Sequence, residues 1–413
     1  RSRLPYVLGA TGFTGKLVVK CLAKVSEDVR WLITGRSELL VLLKIISKNF
    51  QLTGVDISKI PTRIVDTNDT KSLCEILQHA TLALNCVGPN TTMSSPIVEA
   101  CIKSKTHYLD MSAEINHILS LYVKYHKAAE EANVLIIPSC GFSSLLPASG
   151  LMYLEEQFQG TLNTVECYSE LVLPKRAYIP FVDSVASYGT WQSLVHVLRN
   201  LKEYQLIKNE TFPVIELPKE MKRRFFHWRR KKLWYKYPGP DETVVEMSER
   251  YLQDKKQKRL VHFKLYTTMP AFIYNLVIPV MFLYFYLSFF SWFAKLLWKF
   301  PRLFTLGCMS HKGPSEKARH DTKYSFTYIG KGWDKSVEDF SKPPMKSLEV
   351  KVSSKDPYET TAVVIIVAAI TLLREQFQMP SGGVVNIGAA YDDTTLLKRL
   401  KNSGITYEVL DEK

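Results

Sequence analysis

Acidic residues are in short supply. The 413-residue chain carries 40 aspartates and glutamates against 54 lysines and arginines, a formal charge of +14. That balance favours anionic partners: a phosphate-bearing cofactor, a membrane surface or nucleic acid. Cysteine is sparse as well. The seven residues (Cys21, Cys74, Cys86, Cys101, Cys140, Cys167, Cys308) are scattered and none forms a Cys-x-x-Cys pair. An odd, dispersed set excludes a disulfide framework and fits reduced thiols in a cytosol-facing compartment. The nine histidines show no metal-ligand spacing, so no metal site is expected. No secretory signal peptide is visible, and a chain that opens on Arg1 rather than Met is expected to have lost natural residues upstream. What remains is an ordinary globular composition, 46% apolar and 23% charged, long enough for about two or three domains.

One stretch organises the chain. Tyr6-Val7-Leu8 runs straight into Gly9-Ala10-Thr11-Gly12-Phe13-Thr14-Gly15, and Leu17-Val18-Val19 begin a helical pattern. Strand, glycine turn and helix in that order bring backbone N–H groups to a helix N-terminus, where the dipole favours a pyrophosphate. The first glycine gap is one residue longer than in G-x-G-x-x-G, and three glycines also make a plain turn. The flanking strand and helix favour a dinucleotide site at Gly9, Thr11, Gly12, Phe13, Thr14 and Gly15. The second strand, Arg30 to Gly35, ends in Gly35-Arg36-Ser37 with no acid at its tip. An acid there takes the ribose 2′-OH, whereas a basic residue accommodates a 2′-phosphate. Arg36 therefore favours NADP(H) over NAD(H); the alternative is a surface arginine in a polar turn.

Leu39 to Phe50 is helical in pattern, and Thr62 to Asp66 is a predicted third strand. Asp66 at its tip either meets the adenine or caps the helix around Leu73 to Leu77. Thr81 to Cys86 reads as a buried fourth strand ending in Val87-Gly88-Pro89. Ligands bind beyond the carboxyl ends of strands in open α/β sheets, which places those three residues beside the nicotinamide. Tyr108 to Met111 and Val134 to Pro138 supply a fifth and a sixth strand. The predicted fold class is α/β, with a doubly wound Rossmann-type sheet over residues 1–150.

From about Thr161 the texture changes. Thr164 to Leu173 alternates loosely, and Ser187-Tyr188-Gly189-Thr190-Trp191-Gln192-Ser193 leads into a helix. A second, α+β domain is expected over residues 151–265 and 318–413. Lys222 to Trp234 packs seven basic residues among aromatics. Nucleic acid, a membrane surface and a solvated face all fit that composition. The long apolar segment downstream favours the membrane over nucleic acid. Met269 to Ala294 is 26 residues without a charge, flanked by Lys295 and Lys299. A straight helix of about 39 Å exceeds the ~30 Å hydrocarbon core. Pro279 is expected to break it, leaving about fifteen uninterrupted residues, which suits a re-entrant or interfacial element. A buried core hairpin is the alternative. Residues 266–310 are thus expected to associate with a membrane or lipid droplet from one side.

Gly9 to Gly15, Thr34-Gly35-Arg36-Ser37, Leu84 to Pro89, Tyr108 to Glu114, Cys140 to Ser144, Tyr188 to Ser193 and Pro380 to Val384 span the chain nearly end to end. As a set they resemble the saccharopine dehydrogenase-like oxidoreductases, the animal group related to bacterial trans-acting enoyl reductases. The resemblance implies a Rossmann domain, a second domain of the saccharopine reductase type and a lipid-droplet or membrane-associated protein. The chain departs from the family pattern Gly-Phe-Asp-Ser-x-Pro-x-Asp, where Ser143 and Ser149 replace both acids. If those acids orient substrate or move a proton, this copy is impaired; if they cap a helix, serine serves as well. Asn90 stands where the family has an aromatic residue.

No catalytic residue is assigned. Tyr204/Lys208 and Tyr251/Lys255 have the Tyr-x-x-x-Lys spacing, but both lie outside the dinucleotide domain and are read as chance. Asp110 and Glu114 form a possible acidic pair, with a cap or surface role equally open. Cys140 is a candidate nucleophile without a neighbouring histidine. Two functions remain open: an NADP(H)-dependent oxidoreductase acting on a lipidic substrate, or a catalytically impaired Rossmann-fold protein with a structural or regulatory role at the droplet. Saccharopine cleavage is a weaker third, since an amino-acid substrate needs no long apolar segment.

Overall fold

Short runs of apolar residues separated by helical patterns build the first sheet. The computed structural model describes residues 5–25, 29–35, 60–213, 216–221, 225–268, 277–337 and 339–412. The chain divides into two compact units, one of Arg1–Ser112, His117–Phe142 and Tyr358–Arg399, the other of Ala113–Asn116, Ser143–Pro357 and Leu400–Lys413. The first unit contains β1 (Pro5–Leu8), β2 (Leu32–Gly35), β3 (Thr62–Ile64), β4 (Leu82–Asn85), β5 (His107–Asp110) and β6 (Leu135–Ile137). All pair in parallel, in the order β3-β2-β1-β4-β5-β6. Every residue of β1, β4 and β5 is buried, as strands covered by helices on both faces must be. The strand order reverses between β1 and β4, which is where open sheets of this type bind ligands.

The second unit is built on a mixed sheet. Its strands are β7 (Gly160–Val172), β9 (Phe226–Arg229), β10 (Lys232–Lys236), β11 (His262–Thr267), β13 (Lys323–Asp334), β14 (Lys346–Lys355) and β16 (Thr406–Glu412). They run in the order β16-β14-β13-β7-β11-β10-β9, and of these pairs only β7 and β11 are parallel. A separate ribbon pairs β8 (Ala186–Ser187) with β12 (Met309–Ser310).

The chain re-enters the first unit after Pro357. The Pro357–Glu375 helix is apolar and long enough to cross a membrane by composition, yet two thirds of its apolar window is buried. It is a core helix, with Ala362, Val364, Ile365, Ala368 and Leu372 among its buried residues. Beyond it β15 (Gly383–Val384) adds a seventh parallel strand beside β6. His126 Nδ1 accepts the Val384 N–H at 3.1 Å. Where the sequence layout assigned 318–413 to the second domain, Tyr358–Arg399 belongs to the first unit. A two-residue edge strand leaves no period to read.

The apolar stretch forms no single rod. Residues 269–276 lie outside the described set. The remainder folds into helices Val277–Ser288, Ser291–Lys299 and Pro301–Phe304. Pro279 was expected to break the segment. The described helix opens at Val277, two residues before it, and the residues that would decide a break there lie outside the described set. A break within the described residues falls at Phe289-Phe290. Trp191, Val195, Phe293 and Leu297 form a buried cluster between these helices and Tyr188–Arg199.

Candidate dinucleotide site

The glycine turn is shaped by what its backbone touches. Gly9 takes φ +77°, and a Cβ there would lie 2.9 Å from Val87 Cγ2 and 3.0 Å from the Cys86 carbonyl carbon. Gly12 N–H donates to the Gly9 carbonyl at 3.0 Å. A Cβ on Gly15 would sit 2.2 Å from that same oxygen, so the turn closes only with glycine there. The turn therefore packs against the end of β4, and the structure brings Gly9, Gly12, Gly15 and Val87 together at the point of strand reversal. The Phe13–Leu22 helix begins directly after Gly12, and no side chain caps it. Around its start Gly12 is exposed and Thr11, Phe13 and Thr14 are half-buried. An uncapped, glycine-cradled helix start fits a dinucleotide pyrophosphate. Phe13 packs edge-on to Tyr358 at 5.0 Å.

The Val87-Gly88-Pro89 loop, with a cis Gly88–Pro89 bond, is held from beneath by a polar network. Asn85, the last residue of β4, accepts the Val87 N–H at 2.9 Å. Its Nδ2 donates to Tyr108 OH at 2.9 Å, Ser94 Oγ at 3.1 Å and Asn90 Oδ1 at 3.3 Å. Tyr108 donates to Asp110 Oδ2 at 2.9 Å, and Asp110 also accepts the N–H groups of Ser112 and Ser139. His117 Nε2 lies 3.0 Å from Asp110 Oδ2. Burial pushes the Asp110 carboxyl up, but His117 and the two backbone donors outweigh it and hold the group below the usual carboxylate range. Burial, and secondarily the Asp110 charge, push the Cys86 thiol up to about 12.

Other candidates acquire plain roles. Asp66 does not cap the following helix: it accepts from the N–H and Nδ2 of Asn68, while Asp69 caps the Thr70–Leu77 helix. Arg36 lies outside the described residues. Cys140 is buried with its Sγ–H donating to the Ile137 carbonyl at 3.3 Å, and burial, then the Asp110 charge, raise its thiol well above the ordinary value, none of which activates it as a nucleophile. Glu114 accepts from Ser193 at 3.0 Å, while Asp110 is held by Tyr108, His117, Ser112 and Ser139. Tyr204 bonds Thr243, and Lys208 pairs with Glu246 at 3.0 Å. Ser149 is buried in the Phe142–Gln157 helix, donating to the Leu146 carbonyl and sharing a 2.9 Å hydrogen bond with Tyr407 OH. Sequence reasoning missed Asn85, Tyr108 and His117 as one network. The available signal was a polar residue closing each of two apolar strands, Asn85 on β4 and Asp110 on β5.

In the basic run, Lys222 to Arg224 lie outside the described residues. The rest forms the β9–β10 hairpin. Arg230 grips Glu349 with two hydrogen bonds at 2.8 and 2.7 Å, Lys232 pairs with Glu170, and Arg229 lies over the Tyr168 ring. Much of this charge is spent within the second unit.

Residues 6–137 match the family model for the saccharopine dehydrogenase NADP binding domain. Saccharopine dehydrogenase-like oxidoreductase of Rattus norvegicus is 32% identical over 98% of this chain and 96% of its own length. The chain belongs to the saccharopine dehydrogenase-like oxidoreductases. The Lipid droplet localized protein of Caenorhabditis elegans is 26% identical over 98% of both chains. Apo saccharopine dehydrogenase (L-Glu forming) of Saccharomyces cerevisiae has the same fold, at a TM-score of 0.56 and 13% identity over 99% of this chain and all of its own. The NADP-binding family domain agrees with the preference for NADP(H) over NAD(H) read from the sequence.

Proposed function

We propose that the protein is an NADP(H)-dependent oxidoreductase that acts on a lipidic substrate at a lipid-droplet or membrane surface, facing the cytosol. The observation that carries the cofactor half is the uncapped helix start behind a glycine turn that admits no Cβ. Gly9, Thr11, Gly12, Phe13, Thr14 and Gly15 would hold the pyrophosphate, Arg36 the 2′-phosphate and Asp66 the adenine side. Val87, Gly88 and Pro89 would border the nicotinamide, which supplies the hydride when bound. Asn85 and the Asp110 network fix that border. The lipid half rests on the exposed apolar helices from Val277 to Phe304 and on the name of the Caenorhabditis elegans relative.

A second reading has its own observation. Ser149 is spent on packing, and neither 143 nor 149 carries an acid, which favours a catalytically impaired protein with a structural or regulatory role. A titration with NADPH and NADH separates the parts. Tight NADPH binding that weakens selectively in Arg36→Ala supports the cofactor reading. Failure of folded protein to bind either nucleotide overturns it. NADPH oxidation on adding lipid ketones or enoyl lipids supports the enzyme; binding without turnover across such a panel supports the second reading.

A further inference from the structure

The apolar helices are fastened on one side and bare on the other. Trp191 Nε1–H donates to the Leu297 carbonyl at 2.8 Å, and Tyr284 OH donates to the Phe304 carbonyl at 3.1 Å. The opposite sides expose Phe282, Leu283, Tyr286, Trp292 and Leu303, with Tyr286, Trp292 and Leu303 each more than 60% accessible. Large apolar and aromatic side chains exposed together on short, tethered helices are what a docking surface presents. A second segment, distant in sequence, joins it. Ile179, Phe181 and Val182 are exposed. Phe181 N–H donates to the Leu306 carbonyl at 2.9 Å, and Arg302 Nη2 donates to the Phe181 carbonyl at 2.6 Å. Gly307, at φ +90°, lies so close that a Cβ would come within 2.6 Å of the Phe181 backbone. The loop is thus tied to the end of the apolar helices.

Charge selects the occupant. Residues 269–315 contain no aspartate or glutamate, whereas Lys295, Lys299 and Arg302 fall within them. On the Ser291–Lys299 helix, Phe293, Ala294 and Leu297 are buried while Trp292, Lys295 and Lys299 are exposed. Aromatic and cationic residues sharing the outward side of a short helix fit an interfacial position, rings among acyl chains and ammonium groups at phosphates.

We infer that the 179–182 loop and the helices from Val277 to Phe304 form one composite docking face for an anionic phospholipid surface. This rests on the membrane-associated reading above and adds the loop and the headgroup preference. The test is flotation of the full chain with phosphatidylcholine vesicles and with phosphatidylcholine–phosphatidylserine vesicles, at low and high salt. NADPH affinity and circular dichroism serve as fold controls. The wild type should float with phosphatidylserine vesicles, less with phosphatidylcholine, and less again in salt. Phe181→Ser/Val182→Ser should weaken flotation about tenfold with NADPH binding unchanged. Lys295→Gln/Lys299→Gln should abolish the phosphatidylserine preference. Wild-type flotation with an unaffected loop variant overturns the composite face and leaves the membrane reading standing. Equal flotation on both vesicles overturns the headgroup claim. No flotation at all overturns the membrane reading itself. Concentration-dependent dimerisation lost in the loop variant assigns the face to a second copy of this chain and overturns the proposal.

Discussion

At the scale of single residues, two buried aspartates set opposite pH dependences. Asp110 is held below the ordinary carboxylate pKa of 3.8, so its stabilisation is present above that value and lost as pH falls through its folded pKa. Asp241 is the reverse. It is buried at the start of the Asp241–Lys256 helix, and that burial raises it well above 3.8. The groups facing it, Tyr237, Tyr328 and Cys167, are neutral acids that its charge pushes up further. Above 3.8 and up to its folded pKa, the folded state therefore holds one more proton than the unfolded chain. Stability then falls as pH rises, by up to about 1.4 kcal/mol per unit. Asp241→Asn removes that slope. Urea melts of both proteins at about pH 4 and about pH 7 should diverge in favour of the variant at the higher pH; parallel curves would show that Asp241 does not titrate on folding. Asn85 belongs to the same scale. Its truncation to Ala strands the Val87 N–H, takes a donor from Tyr108 OH and should cost about 1–3 kcal/mol, together with a weaker NADPH Kd. An unchanged Kd in a destabilised variant would confine Asn85 to a packing role.

At the scale of elements, a helix is only as fixed as its anchor. The indole N–H of Trp191 and the ring beneath it hold the Ser291–Lys299 helix to Tyr188–Arg199. Trp191→Ala should open a cavity costing about 3–5 kcal/mol and release the apolar helices, seen as faster proteolysis after Lys295 and Lys299. Unaltered cleavage there would mean the helices hold without it. Elements also differ in how far they can be read in advance. The strands of the first sheet were legible because buried parallel strands are continuous apolar runs, and the glycine turn because a backbone needing φ above zero or a close approach demands glycine. Ser187 to Ser193 stood out as a motif, yet its role was hidden, since Trp191 meets a helix a hundred residues later. The network beneath the nicotinamide border was hidden for the same reason: Asn85, Tyr108 and His117 converge only when β4 and β5 pair.

At the scale of the whole molecule, topology constrains how the protein can meet a membrane. β7 and β11 precede the apolar stretch, and β13 and β14 come after it. β13 is hydrogen-bonded to β7 along its whole length, from Lys323 opposite Val172 to Asp334 opposite Gly160. β16, near the end of the chain, pairs with β14 in that same sheet. A single crossing by residues 269–294 would put β13 across the bilayer from β7 and tear the sheet apart. Separating them would give up that whole hydrogen-bonded ladder and bare the apolar faces of both strands to water, so the sheet overrides the apolar run. On the membrane reading proposed above, the chain before and after the apolar helices must therefore lie on one side, which would leave those helices in a single leaflet or a droplet monolayer. In sealed vesicles bearing the protein on their outer face, protease added outside should remove epitope tags at both the N- and C-terminus. A protected C-terminal tag beside a cleaved N-terminal one would require the second sheet to be broken, and the one-sided arrangement would fall with it.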